Sequence, residues 1–200
     1  YVYVENGKVT APPNRITVDS GEYTWWRKGP TGEDFIHEDV TPNFFRRSME
    51  FIKNKAGEEK PYFLYLALPS PHTPILPTEE WQGKSGLNLY GDFVMMIDDY
   101  MGQLLKTIEE TGEENNTIVI FTSDNGCSPE ANFELLEEKE HDPSYIFRGH
   151  KADIFEGGHR IPFIVRWPGR IAASSRSDET ICLTDLMATV ADILGVPLAD

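Results

Sequence analysis

The sequence has few cysteines, a shortage of basic residues and no long apolar run, and each shortage excludes a class of protein. Two cysteines among 200 residues exclude a disulfide-rich scaffold and a four-cysteine zinc site. The chain has 18 basic and 33 acidic residues, and its net charge of −15 argues against a nucleic acid or an anionic membrane as the main partner. No stretch approaches the ~20 apolar residues of a membrane helix, so no membrane span is expected. The Gly-x-Ser-x-Gly, His-Glu-x-x-His and dinucleotide-binding signatures are also missing.

Apolar segments and amphipathic helices alternate along most of the chain. Residues 1–40 show no sustained hydrophobic period, which predicts an irregular, loop-rich segment. Three later segments have the apolar character of strands: residues 62–68, 117–122 and 161–167. Helical spacing predicts helices starting at Thr41 and covering residues 93–108 and 183–194. Strands separated by helices predict an α/β fold, with part of a mostly parallel sheet flanked by helices.

Two loops that follow the apolar segments carry residues suited to chemistry, because ligands of open parallel sheets bind beyond the carboxyl ends of the strands. His72 lies between prolines in the first loop and could give a proton to a leaving group near neutral pH. Asp124 and Asn125 follow the second segment and offer the hard oxygen ligands that calcium and magnesium prefer. Each observation also has a structural explanation, since Asp-Asn-Gly favours tight turns and a lone histidine is often structural.

Residues 148–160 are unusually rich in cationic side chains for so acidic a chain. A pocket for a sulfate or phosphate group needs such local cations. Gly157 and Gly158 could allow the backbone to approach a ligand, or could serve a tight turn. Trp25, Trp26 and the acidic residues 130–142 are candidates for shaping substrate specificity, although the acidic run is also typical of a solvated surface.

Three motifs, in this order, resemble one family. They are Pro69-Ser-Pro-His72-Thr-Pro74, Ser123-Asp124-Asn125-Gly126, and the segment from Gly149 to Gly169 that contains Lys151. Together they resemble the sulfatases of the alkaline-phosphatase-like superfamily, of the arylsulfatase A and N-acetylgalactosamine-6-sulfatase type. The resemblance covers about residues 40–197, and it implies an α/β sulfatase fold in which residues 41–200 are the C-terminal half of the catalytic domain.

The resemblance also implies roles for four residues. Asp124 and Asn125 match calcium ligands of the family. His72 matches a histidine that contacts the sulfate ester and helps to protonate the leaving oxygen. Lys151 matches a lysine that binds the sulfate and neutralises charge on the leaving group. The implied cofactors are one Ca²⁺ per complete site and a formylglycine nucleophile.

The chain departs from the family pattern in what it lacks. The formylglycine motif, Cys/Ser-x-Pro-x-Arg, is absent, because Cys127-Ser-Pro-Glu-Ala131 has alanine in place of arginine and follows the second metal pair. The family's N-terminal aspartate pair is absent as well. We therefore expect an incomplete fold, a nucleophile located upstream of this chain, and an N-terminal half of the domain as its partner. Alone, the chain is expected to be inactive and to bind calcium poorly.

The expected function is hydrolysis of a sulfuric ester of a sulfated sugar or an aryl alcohol, with a sulfated small molecule or glycan as the ligand. Two alternatives remain open at the level of sequence. One is a phosphatase or phosphonate hydrolase of the same superfamily, which zinc dependence would favour. The other is a non-catalytic protein that binds sulfated glycans. By family resemblance alone, the expected location is exported, periplasmic or extracellular, or lysosomal.

Overall fold

The computed structural model describes residues 1–198, which fall into two compact units. The first unit, Tyr1–Trp167, contains the four candidate site residues, and the second begins at Pro168. The strands of the first unit form three two-stranded sheets.

The first forty residues contain two antiparallel hairpins, which differs from the predicted irregular segment. Strands β1 (Val4–Glu5) and β2 (Lys8–Val9) are joined by Asn6-Gly7, and both turn residues have positive φ. Asn-Gly is a strong signal for a two-residue hairpin turn. Strands β3 (Pro13–Asp19) and β4 (Trp26–Gly32) form the second hairpin. Most side chains of β3 are exposed. Ile16 and Val18 alternate with polar residues in β3, but this alternation covers only five residues, which is too short to distinguish the strand from a loop by sequence alone.

Two amphipathic helices, α1 (Val40–Lys55) and α2 (Leu89–Glu110), pack together and form the main core. Helix α1 begins at Val40, one residue before the predicted start at Thr41, and the Thr41 hydroxyl forms a hydrogen bond with the Ser70 hydroxyl at 2.7 Å. Asn88 caps α2, accepting a hydrogen bond from the Gly91 amide at 3.1 Å. The buried residues of this core are Phe45, Ile52, Ile97, Leu104 and Ile108.

The apolar segment 62–68 is extended but belongs to no strand of the described chain. Its continuous apolar sequence predicts burial on both faces, but only one face is covered in the described chain. Tyr62, Leu64, Leu66 and Leu68 pack against the α1–α2 core, whereas Phe63 and Tyr65 are 82% and 80% exposed. Side chains alternate between the two faces of an extended chain, so one face lies on the helices while the other is open.

The other two apolar segments form strands β5 (Val119–Thr122) and β6 (Phe163–Arg166), which pair antiparallel with Val119 opposite Arg166. The predicted parallel sheet is therefore not confirmed, since each ladder within residues 1–198 is antiparallel. A parallel return needs a long crossover connection, usually a helix that packs on the sheet. The chain between β5 and β6 forms only two short helices, α3 (Phe133–Glu137) and α4 (Glu156–His159), and its two long loops carry candidate residues.

The second unit contains one helix, α5 (Asp185–Leu194), within its described residues 168–198. Gly195, with φ of 65°, ends this helix in the left-handed conformation that glycine adopts without strain. The helix lies within the predicted range 183–194. None of the helices in residues 1–198 combines the length and the apolar content that crossing a bilayer requires.

Candidate functional site

His72 lies in the loop of residues 69–74, here called the histidine loop, and its side chain is exposed. The imidazole Nδ1 lies 2.8 Å from the carbonyl oxygen of Thr73. A carbonyl oxygen can only accept a hydrogen bond, so Nδ1 carries the proton in this contact. Nε2 is then the ring nitrogen that can exchange a proton with a ligand.

Asp124 and Asn125 lie in the loop of residues 123–128, the aspartate loop, directly after β5. The Asn125 side-chain amide donates to the carbonyl of Gly126 at 3.0 Å, and the Ser123 hydroxyl donates to the carbonyl of Asn125 at 2.7 Å. These bonds fix the amide so that its Oδ1 remains available as an acceptor. The Asp124 carboxylate is exposed.

Lys151 lies in the lysine loop, residues 148–160, and its side chain is half-buried. No hydrogen bond or ion pair engages its ammonium group within the part of the chain that the structure describes. The neighbouring cations are already engaged. The Arg148 guanidinium lies over the Phe155 ring at 3.7 Å, and Arg160 pairs with Glu156 at 2.9 Å. Lys151 is therefore better placed than either arginine to bind an anion.

Two backbone hydrogen bonds join the aspartate loop to the lysine loop. The Gly126 amide donates to the Gly158 carbonyl, and the Lys151 amide donates to the Cys127 carbonyl, both at 2.9 Å. The contact is so close that a Cβ atom on Gly126 would lie 1.8 Å from the carbonyl oxygen of Gly157. Gly157 and Gly158 are themselves buried. The glycines thus bring the backbone of Asp124 and Asn125 close to that of Lys151.

A side-chain hydrogen bond joins the histidine loop to the segment that follows the aspartate loop. The Thr73 hydroxyl donates to the Glu130 carboxylate at 2.6 Å, and Glu130 follows the aspartate loop in the 3-10 turn Pro129–Ala131. Hydrogen bonds therefore connect the three loops that carry the four predicted site residues. No sequence pattern distinguishes Glu130 from the other acidic residues of 130–142, because its partner Thr73 is distant in sequence.

The turn between β3 and β4 lies beside these loops. The Tyr23 carbonyl accepts from the Ile75 amide at 2.8 Å, and the Glu22 carboxylate accepts from the Asn132 side chain at 3.0 Å. At the end of this turn Trp25 is partly exposed, whereas the Trp26 ring stacks on His37 with ring centroids 3.9 Å apart. Of the two tryptophans, Trp25 is the one with a surface available to a ligand.

Comparisons with known proteins assign the chain to a family. The family model described as Sulfatase matches residues 6–196. The chain belongs to the sulfatase family. It is 33% identical over 180 residues to an N-acetylgalactosamine-6-O-sulfatase of Bacteroides thetaiotaomicron, covering 88% of this chain and 34% of that sulfatase. It is 34% identical over 157 residues to the rat (Rattus norvegicus) N-acetylgalactosamine-6-sulfatase, covering 78% of this chain and 29% of the rat protein.

A solved structure supports the fold of this sulfatase chain. It comes from a study of the metabolism of multiple glycosaminoglycans by Bacteroides thetaiotaomicron, and it matches with a TM-score of 0.83 and 28% identity. The match covers 100% of this chain and 48% of that one. The chain spans about a third of the length of the curated sulfatases cited above.

Cys127 is poorly suited to react as a thiolate nucleophile. Its thiol is half-buried, and its Sγ forms a hydrogen bond with the Tyr90 hydroxyl oxygen at 3.3 Å. Burial raises the pKa of the Cys127 thiol, although the hydrogen bond to Tyr90 opposes the shift. Burial and the contact with Cys127 also raise the pKa of the Tyr90 phenol. A thiol with a raised pKa is mostly protonated at neutral pH and is a weak nucleophile.

The candidate residues are of the type that binds calcium, but they are too few to complete the coordination of a calcium ion. The Asp124 carboxylate and the free Oδ1 of Asn125 are the hard oxygen donors that Ca²⁺ prefers. Calcium takes roughly 6–8 oxygen ligands, and these two residues supply only part of that set. Within residues 1–198, no group of three or more His, Cys, Asp or Glu side chains could hold a metal ion.

Proposed function

We propose that the protein containing this chain hydrolyses a sulfuric ester, and that His72, Asp124, Asn125 and Lys151 form one side of its active site. The observation that carries the proposal is the hydrogen-bonded assembly of three loops in a chain of the sulfatase family. These loops bring a proton donor, a cation and two hard oxygen ligands into one region.

His72 acts on the leaving group. In the reaction the bond between sulfur and the ester oxygen breaks, and the released alcohol needs a proton. With Nδ1 bonded to the Thr73 carbonyl, the protonated imidazole presents Nε2–H to that oxygen. The imidazole gives up this proton and recovers one from water, so it is unchanged over the cycle.

Lys151 binds the sulfate group. Its ammonium is a compact positive charge on a flexible side chain, and the half-buried position strengthens its attraction for an anion. The close packing of the lysine loop against the aspartate loop holds the Lys151 backbone in place before the substrate arrives. A charge positioned in advance stabilises the transition state without reorganisation during the reaction.

Asp124 and Asn125 hold Ca²⁺ together with ligands outside these residues. When bound, the ion neutralises the negative charge on the sulfate oxygens.

The nucleophile is a formylglycine located upstream of residues 1–200. Residues 41–200 are the C-terminal half of the catalytic domain, and the N-terminal half is their partner. Segment 62–68 supports such a partner in two ways: its apolar side chains Phe63 and Tyr65 are exposed and need cover, and its backbone pairs with no strand within residues 1–198. Without that half the chain is inactive and binds calcium poorly.

The substrate is a sulfated sugar or an aryl sulfate, and the sugar is favoured by two relatives that are named as sulfatases of N-acetylgalactosamine 6-sulfate. No observation favours a phosphatase, a phosphonate hydrolase or a non-catalytic glycan binder. We also propose an exported or lysosomal location, which rests on the resemblance to the sulfatase family alone.

The test is sulfate release from N-acetylgalactosamine 6-sulfate by the whole protein, with and without Ca²⁺. We expect His72→Gln and Lys151→Met each to lower kcat/KM by about 10²–10⁴-fold, the usual contribution of a positioned acid–base or charged group. Lys139→Met is the matched control, since Lys139 is exposed in the acidic segment, and it should leave kcat/KM within about twofold. Equal activity of all three variants, or an absence of sulfate release by the wild type, would refute the proposed function.

A further inference from the structure

We propose that Thr73 and Glu130 are positioning residues that fix the orientation and the tautomer of the His72 imidazole. The expected effect on catalysis rests on the proposed function, whereas the expected effect on the His72 tautomer does not. Neither residue needs to touch the substrate, because both act through the histidine.

Thr73 connects His72 to the rest of the site through two different atoms. Its carbonyl oxygen accepts from the His72 Nδ1 at 2.8 Å. Its hydroxyl donates to the Glu130 Oε2 at 2.6 Å. An O–H···O contact to a carboxylate at this length is charge-assisted, and such bonds are about twice as strong as neutral ones. The side chain of Thr73 therefore holds the peptide group that orients the imidazole.

Glu130 is a firm anchor although its own side chain is exposed. The next residue, Ala131, is 1% exposed, and its carbonyl accepts from the buried Asn88 side chain at 2.8 Å. Asn88 in turn caps the N-terminus of α2, the longest helix of the first unit. The Glu130 backbone is thus tied to a helix that packs in the core, so the orientation of Thr73 is set by the fold and not by the loop alone.

His72 depends on this connection because it is itself exposed. An exposed imidazole exchanges rapidly between rotamers unless a hydrogen bond holds it. Without the Thr73–Glu130 bond the Thr73 carbonyl is free to turn away from Nδ1. The proton of the neutral ring would then be shared between both nitrogens, and Nε2 would no longer be the only site of proton exchange. A small misplacement of a reacting group can lower a rate by up to about 10²-fold.

The structural arm of the test is ¹⁵N NMR of the His72 imidazole in the full chain, at a pH where the ring is neutral. The wild type should show the Nδ1–H form. Thr73→Val, which keeps the shape but removes the hydroxyl, and Glu130→Ala should both shift the ring toward a mixture of tautomers. Thr73→Ser and Glu130→Gln keep a donor and an acceptor and should restore the Nδ1–H form. Glu134→Gln is the control, because Glu134 is exposed on α3 and its side chain has no hydrogen bond within residues 1–198.

The kinetic arm measures sulfate release by the whole protein. We expect Thr73→Val and Glu130→Ala each to lower kcat about tenfold with KM within twofold, and the double variant to be no worse than either alone. Thr73→Ser should recover most of kcat. An unchanged tautomer in both single variants would overturn the inference, as would a KM effect without a kcat effect. If the wild type releases no sulfate, the proposed function fails, while the NMR arm still decides whether these residues position His72.

Discussion

Replacing Gly126 by alanine would test the close packing between the aspartate loop and the lysine loop. A Cβ atom at this position would lie 1.8 Å from the carbonyl oxygen of Gly157 and 2.8 Å from its carbonyl carbon. Both distances are below 3.0 Å, a separation under which real Cβ contacts are essentially never found. The atoms in the way belong to the backbone, so no side-chain rotation relieves the contact, and the two loops must separate.

The size of the effect follows from two contributions. Forcing an extra carbon into a packed region costs about 1–3 kcal/mol. Separating the loops also breaks the hydrogen bond from the Gly126 amide to the Gly158 carbonyl, worth about 1 kcal/mol. We therefore expect Gly126→Ala to lower the free energy of unfolding by about 2–4 kcal/mol.

The measurement is urea unfolding of the chain, followed by far-UV circular dichroism. The matched control is Gly102→Ala, because Gly102 lies in α2 and a Cβ there would meet nothing within 4 Å. Alanine in an exposed helix position should raise stability by about 0.5–1 kcal/mol. Equal unfolding midpoints for Gly126→Ala and the wild type would refute the tight junction and its role in holding Lys151 near Asp124.

Two further predictions concern buried groups. Asp92 is 3% exposed, and burial raises the pKa of its carboxyl group. Hydrogen bonds from Ser85 and Gly83 together lower the pKa by more than burial raises it, so the net pKa is below its ordinary value. A lowered pKa stabilises the fold above the ordinary value of about 3.9 and loses that contribution as the pH falls through the folded-state pKa. Asp92→Asn should cost about 1–3 kcal/mol at pH 7 in urea unfolding and weaken the pH dependence below about pH 4, and an unchanged acid profile would contradict this. Cys127→Ala should keep sulfate release by the whole protein within about twofold, because the proposed nucleophile is a formylglycine elsewhere and the Cys127 thiol is a weak nucleophile; loss of turnover with an unchanged unfolding midpoint would contradict that placement of the nucleophile.

The sequence identified the amphipathic helices well because helix burial follows a local period. Phe45 and Ile52 of α1, and Phe93, Leu104 and Ile108 of α2, are buried as their spacing predicts. The strands were harder to predict. Residues 119–122 and 163–166 are strands as expected, but their pairing is antiparallel. Apolar content predicts that a strand is buried, and it does not specify the neighbour or the direction of the pairing.

Segment 62–68 shows the same difference between composition and environment. Its residues are apolar on both faces, yet one face packs on α1 and α2 while Phe63 and Tyr65 are exposed in the described chain. The hairpins of residues 4–32 show the reverse case, in which strands form where the sequence has little apolar pattern. Most strand positions there are exposed, and the apolar alternation is limited to short runs such as Ile16 and Val18, so the Asn6-Gly7 turn is the stronger local signal.

For the candidate site, the sequence alone supplied the residue types, their positions after apolar segments and the family motifs. His72, Asp124, Asn125 and Lys151 were named from these, and their catalytic and metal-binding roles remain proposals. Tertiary structure decided which other groups matter. Glu130 contacts Thr73, the neighbouring arginines of Lys151 are engaged elsewhere, and Gly126 meets Gly157. These facts depend on atoms tens of residues apart coming within hydrogen-bond or contact distance. No local pattern encodes such distances, because only the packing of helices and loops around a common core determines which distant residues meet.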